Sequence, residues 1–314
     1  MAHLQVIRGG EVLGMSDYVW LDDKGKINSK KKSIIVGKNG KGEPEPILDR
    51  WTFFDYPSPF GPFGEFCDDE DQESPRTLVL VPCFYLPDPT RPQPCYIVIC
   101  ELRDEEDHCI KNNDRAKLRH AIEDRGMQSN LVWFGFEQNY TLDWAGSDSG
   151  NGFEATRFAA AERHIGACFD SGILFHSAWN PPEYDIWDFK VGYRAFPQDL
   201  DPDPPNALIV ADHLIVARYL MEKICGSKGL SPYWEDLDIF ISTAAMREPG
   251  GNEDAEAVRI ENALQGKGDI RRLPHPTRGG VQCIELNPKK PNNPYTMAHA
   301  VLTAVWPQNM FKIK

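Results

Sequence analysis

No run of apolar residues approaches the ~18 needed to span a bilayer, so the sequence predicts no membrane helix. Its eight cysteines (67, 83, 95, 100, 109, 168, 225 and 283) form no C-x-x-C pair, which excludes zinc ribbons and thioredoxin-type redox motifs. The eight histidines form neither H-x-x-x-H nor H-E-x-x-H, so spacing offers no zinc site. Repeats and low-complexity tracts are missing, which excludes solenoids. Positive charge is in deficit: 34 Lys and Arg stand against 47 Asp and Glu, a net charge of −13. That balance argues against nucleic acid or an anionic membrane as partner. The first ten residues carry no apolar signal core or cleavage pattern. The expectation is a soluble, cytoplasmic or otherwise intracellular protein whose thiols are free and buried.

What is there fits an ordinary globular protein: 314 residues, 41% hydrophobic and 26% charged. This suggests two domains or one large one, with a core needing no metal or disulfide. Residues 16–36 read as a hairpin turning at Asp22–Gly25. Residues 37–76 are rich in Gly, Pro and acids. They read as a long ordered loop region whose aromatics Trp51, Phe53, Phe54, Phe60 and Phe63 need burial. Residues 77–82 and 96–100 are β-rich. Cys95 and Cys100 lie an odd number of residues apart, on opposite strand faces, which disfavours a shared metal or bridge. The polar stretch 102–114 marks a domain boundary, giving 1–107 and 108–314. The second part alternates helices and strands. Helices are expected near 114–125, 154–171 (closed by Gly172), 206–225 (capped by Asn206), 253–264 and 295–306. Strands are expected near 131–142, 185–193, 236–243 and 281–286, with a loop over 265–280. Short strands first, then alternating elements, indicate an α+β fold.

Several segments resemble one family. Trp133-Phe-Gly-Phe-Glu-Gln-Asn-Tyr-Thr-Leu142 resembles W-[FY]-G-x-E-Q-E-Y-T-L of eukaryotic-type glutamine synthetase. Tyr18-Val-Trp-Leu-Asp22 with Asn28-Ser-Lys30 resembles Y-I-W-I-D…R-S-K. Trp51-Thr-Phe-Phe-Asp55 resembles W-N-[FY]-D. Trp187-Asp-Phe-Lys-Val-Gly192 resembles W-E-F-Q-V-G. Asp212-His-Leu-Ile-Val-Ala-Arg-Tyr-Leu220 resembles D-x-L-W-x-A-R-[FY]-L, and Ser242-Thr-Ala-Ala-Met-Arg-Glu248 resembles S-T-K-x-M-R-E. The matches run in family order from residue 18 to about 300. The resemblance implies an N-terminal β-grasp domain and a larger C-terminal domain of curved antiparallel sheet and helices. It also implies rings with shared active sites, in which ATP activates glutamate for attack by ammonia.

Such a site needs divalent cations held by carboxylates and cationic side chains on the phosphates. Mapped through the resemblance, Glu137 keeps the first metal carboxylate, but Asn139 stands at the second. Asp188 keeps another acid, one methylene shorter. Pro181 falls at a further acid, with Glu183 close by. Asp238 stands at the nucleotide-side His. Gly268-Asp-Ile-Arg-Arg-Leu273 resembles the flap start G-N-E-R-R-L, with Ile270 at the flap glutamate. Arg278 is kept, Gln282 replaces a second arginine, Asn287 a metal-ligand Glu, and Lys289 an Arg. Asp55, Arg278 and Lys289 are thus vestigial catalytic positions, and Glu137, Asp188, Glu183 and Asp238 the remaining metal candidates. Arg271, Arg272 and Arg278 are candidates for an anion. In a site without metals, Glu137 and Asp188 would be half-buried acids paired with Arg or Lys. The acid run Cys67–Glu73 reads as a solvated loop.

Residues that act as a unit fail together. The sequence therefore points to a non-catalytic homologue without cofactor, serving as a structural or assembly subunit. Its partners would be proteins: copies of itself in a ring, or a larger hetero-assembly. The alternative is a repurposed amide-forming ligase using ATP with Mg²⁺ or Mn²⁺ on a rearranged cluster of Glu137, Glu183, Asp188 and Asp238.

Overall fold

The computed structural model describes residues 11–22, 24–55, 76–110, 113–125, 132–144, 152–192, 206–247, 252–274, 281–288 and 292–306. The chain divides into two compact units. Met1–Tyr85 and Tyr96–Asn113 form the first; Leu86–Cys95 and Asp114–Lys314 form the second. Among the described residues no helix is long and apolar enough to cross a membrane.

The first unit is built on one six-stranded sheet. Its strands are β1 (Val12–Leu21), β2 (Ile27–Lys38), β3 (Pro44–Ile47), β4 (Trp51–Asp55), β5 (Arg76–Pro87) and β6 (Cys95–Arg103), in the order β3-β2-β1-β6-β5-β4. The expected hairpin is β1–β2, whose turn is closed by the Asp22 carboxylate accepting from the backbone N–H of Lys24 and Lys26. Alternation then sends Tyr18, Ile34, Val36, Leu78, Leu80, Tyr96 and Val98 into one core. The 37–76 segment is not all loop, because it holds β3 and β4. Trp51 and Phe53 pack on the core, whereas Phe54, expected buried, is 62% exposed. It alternates with Phe53 along β4 and so takes the other face. Phe60, Phe63 and the acid run 67–73 lie outside the described residues.

The second unit is α1 (Asp114–Arg125), β7 (Val132–Trp144), α2 (Phe153–Ser171), β8 (Phe175–Trp179), β9 (Trp187–Gly192), α3 (Ala207–Gly226), β10 (Leu230–Thr243), α4 (Ala244–Arg247), α5 (Glu253–Leu264), β11 (Asp269–Pro274), β12 (Val281–Asn287) and α6 (Pro294–Val305). Its sheet runs β11-β12-β10-β7-β9-β8, and every neighbouring pair is antiparallel. Register shifts in β8, β10 and β11 bend it. The hairpin tip 86–95 belongs here because Asp88 is ion-paired to Lys223 of α3, and the Ser171 hydroxyl donates to the Pro87 carbonyl.

Helix α3 packs on β7, β9 and β10 and is buried along most of its length. Asn206 caps it as expected, its side chain accepting from the N–H of Leu208 at 3.0 Å and Ile209 at 3.2 Å. Asn206→Ala removes that acceptor and lowers stability by about 1 kcal/mol, read from the urea unfolding midpoint. Gly192 closes β9 at φ 92°, where a Cβ would lie 2.5 Å from Val210 Cγ1 and 2.7 Å from the Phe134 carbonyl oxygen. Only glycine fits that approach.

Cys95, Cys100, Cys168, Cys225 and Cys283 are buried free thiols, as expected. Cys83 is exposed and Cys109 half-exposed, which corrects the expectation of uniform burial.

Candidate functional site

The motif strand β7 has two faces. Phe134, Phe136, Gln138 and Tyr140 are buried on one, where Gln138 meets Arg218 of α3. Trp133, Glu137 and Asn139 alternate onto the other. Glu137 sits between Lys190 of β9 and Asp238 of β10 in the strand register. Lys190 Nζ is 2.7 Å from Glu137 Oε2, and both side chains are more than four-fifths buried. Asn139 stands directly opposite Asp188. On β12, Glu285 lies opposite Phe240, while Arg271 of β11 lies opposite Glu285 and bonds it at 2.8 Å.

A bulge sets this alignment. Trp234 pairs with Tyr140 and Leu237 with Gln138, so β10 spends one residue more than β7 over that stretch. The Gln138 amide donates to the carbonyls of Glu235 and Asp236, and the Asn292 amide to those of Trp234 and Glu235. Arg218, fully enclosed, binds both Gln138 and Asn292 and lies 5.4 Å from the Trp234 ring.

Asp238 is 6% exposed, and its Oδ1 has no hydrogen-bond partner. Burial, then the charges of Glu285, Glu137 and Asp236, push its carboxyl up to about 7, with Arg271 opposing them. An acid so placed holds its proton near neutral pH.

The structure thus gathers Glu137, Asp188 and Asp238 on one sheet face. Glu183 does not join them: it is exposed in the turn between β8 and β9. Pro181 lies in the same turn, its carbonyl accepting from the Trp187 indole at 3.0 Å. Ile270 pairs with Leu286, which pairs with Ile239, so it faces the helix-covered side of the sheet. Gln282 and Asn287 lie on β12. Segment 265–280, expected as loop, contains strand β11. Its arginines are engaged, Arg271 with Glu285 and Arg272 with Glu261 at 2.6 Å. Asp55 ends β4 in the first unit. Its side chain, and Arg278 and Lys289 altogether, lie outside the described residues. Sequence reasoning missed Lys190, Arg271 as a partner of Glu285, and Glu285 itself. A step of two residues from Asp188 and from Asn287 finds the first and last.

No family model matches the chain. Chloroplastic glutamine synthetase of Daucus carota is 25% identical over 302 residues, covering 82% of this chain and 63% of that protein. Glutamine synthetase of Yarrowia lipolytica is 27% identical over 301 residues, covering 85% of this chain and 74% of the relative. The chain therefore spans less than two thirds of the carrot protein. A crystal structure described as a novel glutamine synthase homolog superposes with a TM-score of 0.59 at 13% identity, over 97% of this chain and 83% of the other.

The chain is similar to glutamine synthetases over most of its length, as a divergent homologue.

Glutamine synthetase chemistry would need a pair of divalent cations, and the described side chains do not fit one. Amides stand at positions 139 and 287, and Glu137 already bonds an ammonium. Among the described residues, three ligand atoms come within 4.8 Å of one another only at Asp104, Glu106 and His108, in the connection after β6 of the first unit. The family motifs also contribute residues to the fold. Asp212 is fully buried, takes a bidentate contact from Arg115 at 2.8–2.9 Å, and accepts from the Tyr295 hydroxyl at 2.7 Å.

Proposed function

We propose that this glutamine synthetase homologue is non-catalytic and serves as a structural subunit of a protein assembly. One observation carries the reading: Asn139 faces Asp188 across β7 and β9, where the family pattern would set two acids side by side. An amide there removes a negative charge from the place where Mg²⁺ or Mn²⁺ would bridge to phosphate. Without those ions, a developing phosphoryl transition state loses the divalent charge that neutralises it. The assembly half of the reading draws on exposed apolar side chains. Leu13, Ile35 and Ile47 line up across β1, β2 and β3 of the first unit, and Trp179 and Tyr184 stand out beside β8.

The test is direct. Purified protein given glutamate, ammonia, ATP and Mg²⁺ or Mn²⁺ is expected to release no phosphate and form no glutamine above a protein-free blank. Turnover that disappears in Glu137→Ala would overturn the reading. It would favour the alternative, an ATP- and Mg²⁺- or Mn²⁺-dependent ligase built on Glu137, Asp188 and Asp238. Asp238, with its partnerless oxygen beside Glu137, is the observation that favours that second reading.

A further inference from the structure

The face that carries Glu137, Asp188, Asp238 and Glu285 also carries two cations that the chain supplies itself. Lys190 stands where the family motif W-E-F-Q-V-G has a neutral Gln, directly opposite Glu137. Its ammonium lies 2.7 Å from the Glu137 carboxylate, with side-chain exposures of 18% and 17%. Arg271 does the same for Glu285, at 2.8 Å, and the Glu285 side chain is only 7% exposed. Glu137 and Glu285 are thus each matched by a basic residue from the next strand.

We infer that Lys190 and Arg271 are built-in counter-cations that take the place of divalent ions on this sheet face and make it refractory to metal. The inference rests on the non-catalytic reading and supplies its physical cause. Two charges of the same sign cannot share a carboxylate. At ~4 Å an ammonium repels any further positive charge strongly, even at the effective dielectric of a protein surface. A divalent ion approaching Glu137 must displace Lys190 or bear that repulsion. The pairing also removes the reason for Glu137 to bind one, because a half-buried acid needs a partner and Lys190 already is that partner. Lys190 contributes most, being enclosed; the Arg271 side chain is 75% exposed and more screened.

The experiment is a Mn²⁺ titration without nucleotide, followed by calorimetry and by the thermal midpoint in chelator-treated buffer. The wild-type chain is expected to show no Glu137-dependent binding up to about 1 mM Mn²⁺ and no change in midpoint. Lys190→Gln is expected to lower the midpoint in the absence of metal and to gain at least about 100-fold in Mn²⁺ affinity. Added Mn²⁺ would then raise its midpoint, as a ligand bound only by the folded state must. Lys190→Arg is expected to behave as wild type, and Lys190→Gln with Glu137→Gln to lose the gain. Mn²⁺ binding by the wild type that Glu137→Gln abolishes would overturn the inference, even if Lys190→Gln failed to fold. So would a folded Lys190→Gln that gained no affinity. Activity enters neither readout. Mn²⁺ binding without turnover sinks this inference and leaves the non-catalytic reading, whereas turnover sinks that reading.

Discussion

Asp212→Ala is expected to destabilise the second unit by about 3–5 kcal/mol, as measured by urea unfolding followed through tryptophan fluorescence. The residue belongs to a motif that marks the family, yet it touches no part of the open sheet face. It lies on α3 with no exposed surface, holds Arg115 of α1 through both oxygens, and accepts from Tyr295 of α6. Cutting it back leaves a buried guanidinium and a phenol hydroxyl without their acceptor, and the cost of those orphaned groups exceeds that of the lost contact itself. A paired replacement separates the two. Arg115→Met with Asp212→Leu removes both charges together and is expected to cost clearly less than the sum of the single losses. If Asp212→Ala unfolded with a wild-type midpoint, the buried pair would contribute nothing, and the three helices would be held by apolar packing and their other polar contacts, such as those of Asp114 with Asn293 and Thr296.

That result bears on how the sequence should be read. Periodicity and end signals located the helices well: Asn206 and Gly172 mark their termini, and residues 253–264 match α5. Long apolar strands such as β6 and β7 were equally legible. The weak points were edge strands, where the pattern is diluted by charge and proline. β11 reads Asp-Ile-Arg-Arg-Leu-Pro, and among the described residues it has a paired strand on one side only, so nothing in its composition separates it from loop. β3 and β4 hide in a Gly- and Pro-rich segment for the same reason. The site was legible only through the motif. Glu137, Asp188 and Asp238 came from matching positions, and the structure sets all three on one face. Glu183 failed because closeness in sequence to Pro181 leaves it in an exposed turn rather than on a strand. Lys190 and Glu285 were missed because matching asks which family residues survive. It does not ask which new charges lie one pleat away, although the two-residue period was enough to find them. The bulge in β10 that holds Asp238 opposite Glu137 depends on carbonyls gripped by Gln138 and Asn292, which no sequence signal announces.

Asp238→Asn is expected to stabilise the protein at pH 8 and to leave it nearly unchanged at pH 4. In the fold, burial together with Glu285, Glu137 and Asp236 raises this carboxyl from 3.8 to about 7, against the single opposing pull of Arg271. The unfolded chain loses that proton near pH 4, while the folded chain keeps it to about pH 7. Between those values the native state binds more protons, so the Asp238 contribution to stability falls as pH rises, then levels off above 7. For a wholly enclosed group the shift would correspond to about 4 kcal/mol; with solvent screening at the sheet face, roughly 2 kcal/mol is the expected gain for the amide. His164 and His213 pull the other way. Burial lowers both to about 4, so their share of stability is lost as pH falls through the mildly acid range. The wild-type curve mixes these opposing slopes, and the difference between variant and wild type isolates Asp238. Urea midpoints measured at half-unit steps from pH 4 to pH 8.5 should therefore diverge steadily up to pH 7 and run parallel beyond it. Curves that stay parallel throughout would mean that Asp238 is ionised in the fold and satisfied by a cation. In that case the face would hold charge that Lys190 and Arg271 do not balance, and both the metal-refractory face and the non-catalytic reading would have to be reopened.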